Sequence, residues 1–226
     1  MMDVRVLRLL ADPVGFGRPA YWIPGLPANI VCAMDSLDLS DVQGSLRGDG
    51  QAYARIVRRH QGQIAARMWR FTRDRDRLEE LVQDVFVEGY INLRSFKGTG
   101  PFAHWLNAIA TRVGYRFWKR QKRRAFRTIS LQDVDVAVLA RQERPDPRQA
   151  GEAVHALLEK LPPRDRLVLT LMYLEELPLA KVAEQTGWSL VMVKVQAYRA
   201  RKKLKALLIQ NGLANLFEDE DLEQPS

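Results

Sequence analysis

The 226-residue chain has one cysteine, Cys32, and three histidines, His60, His104 and His155. A lone cysteine excludes an intrachain disulfide and a zinc site built on cysteine pairs. The histidines are too far apart for a metal-ligand motif, so each is expected on a helix surface or at a core edge. No apolar run is long enough to cross a bilayer, so membrane insertion is not expected. No basic segment followed by a clean apolar stretch opens the chain, so no secretory signal is read and the cytoplasm is the default location. Neither a G-x-x-x-x-G-K phosphate loop nor a G-x-G-x-x-G dinucleotide loop occurs. Glu79 and Asp84 are carboxylates that could pair, but exposed helix carboxylates are usually just solvated. The expectation is a protein without catalytic residues, cofactor or metal. Strand alternation and internal repeats are missing as well.

Acid is missing where it matters most. From Gly89 to Gln132 there is no Asp or Glu, although the whole chain has 27 of them. That stretch carries Arg112, Arg116, Lys119, Arg120, Lys122, Arg123, Arg124 and Arg127, with Trp105, Tyr115, Phe117, Trp118 and Phe126 interleaved. Basic groups neutralise phosphates and release counterions, and aromatic faces can stack on unpaired bases. Arg112, Tyr115, Arg116 and Lys119 fall at steps of three and four, a stripe apart from the apolar face. Trp105 and Phe117 are expected in the core. The net charge of +8 and isoelectric point near 9.8 agree with a polyanionic partner.

The chain divides by pattern. Residues 1–33 hold Pro13, Pro19, Pro24 and Pro27 and no period. They are either a genuine extension or the product of an upstream start codon, with Met34 opening the protein, and the second is favoured. Residues 1–48 are therefore expected to lie outside the folded parts. From Gln51 the spacing turns helical. Tyr53, Ile56, Val57, His60, Ile64, Met68 and Phe71 make one face, and Leu78, Leu81, Val82, Val85 and Phe86 a second. Phe102, Trp105, Leu106, Ile109, Val113 and Phe117 make a third, after a loop at 96–101. A helical bundle over 49–127 follows. Residues 128–150, with Pro145 and Pro147, are expected to be a flexible linker. Residues 151–210 are expected to form a second helical domain, and 211–226 an acidic, solvated tail. The fold class is all-α, with two small helical domains.

The second domain carries a helix-turn-helix signature. Pro178 to Gln185 is the first helix, Gly187 suits a turn needing positive φ, and Ser189 is an N-cap for the second helix. Val193, Ala197, Ala200 and Leu204 point inward. Val191, Val195, Tyr198, Arg199 and Lys202 then share the outer face with Lys194 beside them, the geometry of a recognition helix in the major groove. Val191 and Val195 have no core role, and contact with thymine methyls would explain them. Lys202, Lys203 and Lys205 suit phosphates. In the first domain, Glu79-Glu80-Leu81-Val82-Gln83-Asp84-Val85-Phe86 puts acids on a helix in an otherwise basic chain, which suggests a protein partner.

These pieces, in this order, resemble the extracytoplasmic-function group of the sigma-70 family. Residues 79–86 are similar to its polymerase-binding motif, commonly E-D-L-V-Q-E-x-F. Phe96-Lys97-Gly98, then Phe102-x-x-Trp105-Leu106-x-x-Ile109-Ala110, resembles its −10 segment. Leu161-Pro162-Pro163-Arg164-Asp165-Arg166 through Gly187-x-Ser189 to Arg199-Ala200-Arg201 resembles its −35 module. The resemblance covers about residues 50–127 and 151–208.

It implies a sigma factor that binds core RNA polymerase, recognises a two-part promoter and promotes DNA opening. Glu79, Glu80, Leu81, Gln83, Asp84 and Phe86 would make the polymerase site. Lys97, Gly98, Arg112, Tyr115, Arg116, Lys119 and Arg120 would hold the −10 DNA. Ser189, Val191, Lys194, Val195, Tyr198, Arg199, Arg201 and Lys202 would contact the −35 duplex. Family members are often held inactive by an anti-sigma factor, a further expected partner. The chain departs from the common pattern at Arg112, Arg116, Pro178, Val191, Met192, Val195 and Gln196, which bears on the promoter sequence read more than on the function. A helix-turn-helix regulator that does not join polymerase would explain the second domain alone.

Overall fold

The computed structural model describes the backbone of residues 28–125 and 147–211 and the side chains of 36–124 and 154–211. They fall into two compact units, one within Phe16–Trp118 and one within Lys119–Ser226. No strand occurs among the described residues.

The first unit opens with α1 (Ala28–Leu46), α2 (Gly50–Met68) and α3 (Arg75–Ile91). Asp49 caps α2 by accepting from the Gln51 N–H at 2.9 Å, and Asp74 caps α3 by accepting from the Asp76 and Arg77 N–H groups at 3.0 and 3.2 Å. A short 3-10 turn at Leu93–Ser95 and the loop after it lead to α4 (Phe102–Ala125). Ile56, Ile64, Met68, Phe71, Leu81, Val85, Phe86, Leu106, Ile109 and Val113 meet in the core. The Trp118 indole N–H donates to the Phe71 carbonyl at 2.8 Å, with the rings 4.5 Å apart. Gly114 is where α4 meets that ring: a Cβ there would lie 2.3 Å from Phe71. Burial pushes the Tyr53 phenol well above its ordinary value, and its hydroxyl donates to the Phe86 carbonyl.

Helix α1 corrects the expectation that residues 1–48 lie outside the folded part. Among its described side chains, 36–46, the buried ones are Val42, Asp38, Asp41 and Ser45, of which only Val42 is apolar. The aspartates face Arg55, Arg59 and the His60 ring of α2. Arg59 bonds Asp38 and reaches Asp41 at 2.6 Å, Arg55 Nε donates to Asp41 at 2.8 Å, and His60 Nε2 lies 3.0 Å from Asp38. A search for apolar spacing cannot find a helix that packs through carboxylates. Residues 1–27 lie outside the described residues.

The second unit contains α5 (Pro147–Lys160), α6 (Pro163–Leu169), α7 (Leu179–Thr186) and α8 (Leu190–Gln210). The expected linker lies outside the described residues over 128–146, and its last residues, 147–150, belong to α5. Pro147 opens that helix, where a missing N–H costs nothing. Leu157, Leu158, Leu161, Leu169, Ala200, Leu204 and Leu208 form the core. After α6 the chain widens into a π-helical turn at Thr170–Leu174, and Glu176 takes a left-handed φ of 53° before Leu177 N–H reaches back to the Leu171 carbonyl at 3.0 Å. The expected acidic tail lies outside the described residues from 212 on.

Two outcomes follow for the first unit. Gly114→Ala should lower its stability by about 1–3 kcal/mol in denaturant titration, because the Phe71 ring has to move. Asp41→Ala should cost about 2 kcal/mol, the scale of a hydrogen bond to a charged group. Burial alone would raise the Asp41 carboxyl, but hydrogen bonds from Arg59 and Arg55 hold it below its ordinary value of 3.8. The stabilisation is therefore full above that value and lost as pH falls through the lower folded one. Unfolding midpoints of parent and variant should converge on acidification below about pH 4.

Candidate nucleic-acid interface

Helix α4 has a core face and a basic face. Arg112, Arg116, Lys119, Arg120, Lys122, Arg123 and Arg124 are exposed and Tyr115 is half-buried. Arg116 is already engaged in a two-point ion pair with Glu88 of α3. The expectation that no acid offsets this cluster is corrected there: the partner comes from the preceding helix, one residue before the acid-free stretch begins. Trp118 is buried in the core, so it is not a stacking surface; Phe126 lies outside the described residues. Phe117 is buried as expected, and Trp105 is half-buried. The Phe96 and Phe102 rings lie 5.6 and 5.2 Å from that of Trp105, a cluster at the base of the 96–101 loop. In the loop Lys97 is exposed, and Gly98 has a φ of 69°, which a side chain would strain.

On α3, Glu79, Glu80, Gln83 and Asp84 are exposed together. Leu81 and Phe86, placed with them from sequence, are only 2% and 6% exposed. They anchor the helix in its own core, as their spacing from Val85 requires, and cannot meet a partner. Sequence reasoning passed over Val87 and Ile91, both exposed. They continue the Glu80–Asp84 face at steps of three and four, so that face is acidic at one end and apolar at the other.

The helix-turn-helix forms as its sequence signals say. Gly187 ends α7 with a φ of 73°, and Ser189 accepts from the Met192 N–H at 3.2 Å to start α8. Ser189 thus has a capping role. Val193, Ala197, Ala200 and Leu204 are buried, while Val191, Lys194, Val195, Tyr198, Arg199 and Lys202 are exposed. Arg201 is half-buried, because it borders the buried Ala197–Ala200–Leu204 edge.

Asp165, at the start of α6, is the buried anchor of this helix. It accepts from the Gln196 amide and from Lys203 Nζ, the latter at 2.6 Å. Lys203, expected from sequence to suit phosphates, stays half exposed while its ammonium pairs with this buried carboxylate. Behind it, Arg166 donates to His155 Nε2 at 3.0 Å. Arginine cannot accept, so that histidine nitrogen is the unprotonated one. No group of metal-ligating side chains occurs among the described residues, and no helix among them is long and apolar enough to cross a membrane.

Residues 56–124 match the model of sigma-70 region 2, and residues 151–204 that of sigma-70 region 4. The RNA polymerase sigma factor CnrH of Cupriavidus metallidurans is 30% identical over 170 residues, 71% of this chain and 88% of that protein. The chain belongs to the sigma-70 family. The ECF RNA polymerase sigma factor SigW of Bacillus subtilis is 26% identical over 171 residues, 72% of this chain and 91% of that protein. A solved structure of CnrH with the cytosolic domain of CnrY has 25% identity and a TM-score of 0.52, covering 79% of this chain and 98% of that one. Within the family this sigma factor falls in the extracytoplasmic-function group.

The two model matches coincide with the two surfaces. The acidic and basic faces of α3 and α4 lie within the region 2 match, and the exposed face of α8 within region 4. The buried carboxylate that orients the second surface can be tested directly. Asp165→Ala should lower the stability of the second unit by about 2 kcal/mol in denaturant titration, since Gln196 loses its partner and Lys203 its counter-charge.

Proposed function

We propose that this sigma factor joins core RNA polymerase through the exposed acidic face of α3. It reads the −10 element with the 96–101 loop and the basic face of α4, and the −35 duplex with the exposed face of α8. The single observation that carries this is the pairing of opposite faces on the helices α3 and α4. Glu79, Glu80, Gln83 and Asp84 are exposed on α3, while the described side chains of α4 include seven exposed Lys and Arg and no acid, one of the seven paired to Glu88. A DNA-only regulator has no use for the first of these. An acidic helix face cannot approach phosphates, but it can meet a basic surface on a protein.

The −10 assignment rests on exposed Lys97 in the loop with Gly98 at positive φ, and on Arg112, Lys119 and Arg120 exposed further along α4. Displaced single strand would lie along them, with the Phe96–Trp105 cluster as its floor. Opening would draw on such contacts and not on nucleotide hydrolysis, so the chain acts without catalysis or cofactor. Work on chromosomal DNA places it in the cytoplasm. The solved complex of CnrH with a second protein's cytosolic domain supports an inhibitory partner of the anti-sigma kind here too.

Run-off transcription with purified core polymerase, with and without this chain, on a pool of promoter fragments tests the reading. Transcripts that need the chain are expected, and their upstream sequences give both elements. No transcript together with no co-elution with core would refute it and favour the stand-alone regulator. Glu80→Lys combined with Asp84→Lys should abolish co-elution with core. Arg199→Ala should leave co-elution intact and lower initiation at promoters with an intact −35 element by about tenfold, the scale of one base or phosphate contact. Equal loss of core binding in Arg199→Ala would mean that α8 has been assigned wrongly.

A further inference from the structure

The exposed stripe of α8 is unusual in its chemistry. Val191, Val195, Tyr198 and Lys202 follow one another at steps of four, three and four, opposite the buried face of Val193, Ala197, Ala200 and Leu204. Val191 is 72% exposed, Val195 44% and Leu190 44%. Isolated apolar residues on a surface need no explanation. Three aliphatic side chains within six residues at the start of a helix, with cations on both flanks, do. Lys194 and Arg199 are exposed on either side of the stripe, and Lys202 ends it.

The polar groups that could read bases here are scarce. The side chains suited to base edges are Arg, Lys, Asn and Gln. Gln196 is held by Asp165, as is Lys203. The Ser189 hydroxyl caps the helix. Between Leu190 and Ala197, the part of a recognition helix that reaches base edges, Lys194 is the only exposed polar side chain. The centre of the reading surface is therefore apolar and its flanks are cationic.

We propose that α8 selects its −35 element mainly by apolar contact of Val191 and Val195 with the methyl groups of thymines, the flanking Lys194 and Arg199 holding the groove walls. This rests on the assignment of α8 to the −35 duplex. Of the four bases only thymine puts a methyl group in the major groove. Four residues of helix span about 6 Å, close to two base steps of about 3.4 Å each. Val191 and Val195 can thus meet methyl groups no more than two steps apart.

The test uses holoenzyme, made from the full chain and core polymerase, on a promoter that it initiates from. Each −35 thymine is replaced in turn by deoxyuridine, which removes the methyl and keeps the base pair and its O4 acceptor. At two nearby positions initiation under competition should fall about fourfold each, the value of one buried methyl-sized group. In Val191→Ala and Val195→Ala, both at exposed positions and hence folded, one of those penalties should vanish in each variant. Deoxyuridine that leaves initiation unchanged overturns the proposal. So does a penalty undiminished in both variants, since another group then reads the methyl. Loss of co-elution with core in the valine variants, with promoter preference intact, would make the stripe a protein-docking face instead. If Arg199→Ala leaves initiation at promoters with an intact −35 element unchanged, the broader reading of α8 fails, and with it the ground of this one.

Discussion

Cations that must be offered to phosphate repel one another, and that repulsion is the constraint around which this chain folds. Its acids are spent selectively. Asp38 and Asp41 draw Arg59, Arg55 and His60 together between α1 and α2. Asp165 takes Lys203, and Glu88 takes Arg116. Each of these contacts gives a carboxylate a partner on a neighbouring helix and so fixes how the two helices meet. A buried ion pair is weak as a source of net stability, because desolvation offsets its attraction. It is strong as a constraint, since leaving a carboxylate buried without its cation is expensive. The charged pairs thus set where the helices go, while burial of Ile56, Ile64, Phe71, Leu106 and their neighbours supplies the driving force.

The basic face of α4 follows from the same distribution of acids. Arg112, Lys119 and Arg120 lie in the stretch without acids, and their exposure follows from its composition. Arg116 lies in that stretch too, yet its partner comes from the helix before it. Composition along the chain could not show that, because the pairing is a matter of which faces of α3 and α4 meet. The outcome is an exposed basic face, one of whose cations is fixed by a carboxylate of the neighbouring helix.

Legibility in the sequence tracked how each helix is buried. Helices α2, α3 and α4 bury apolar stripes and could be read from spacing alone, and α7, its turn and α8 carried their own punctuation in Gly187 and Ser189. Helix α1 packs through aspartates, so it read as an extension. Leu81 and Phe86 sit inside a motif whose acids are exposed, and a linear motif does not say which of its residues point outward. Trp118 looked like a stacking residue among arginines, but its indole N–H had a carbonyl to satisfy in the core. Gly114 drew no notice, because a glycine within a helix costs stability in general and gains it only where a neighbour such as the Phe71 ring needs the space.

Affinity and selectivity then belong to different groups. Phosphate contacts by exposed Lys and Arg supply binding strength that depends on salt and ignores sequence. Selection needs contacts that differ between base pairs, and on α8 the geometry leaves few polar candidates once Asp165 has taken Gln196 and Lys203. A helix held by a carboxylate at its inner edge cannot roll to bring those two groups outward without exposing Val193 and Ala197 to water. The anchor that orients the helix therefore also fixes what it can read. On the proposed reading, selectivity is left to the shape and apolar surface of the outermost stripe, and strength to the cations beside it.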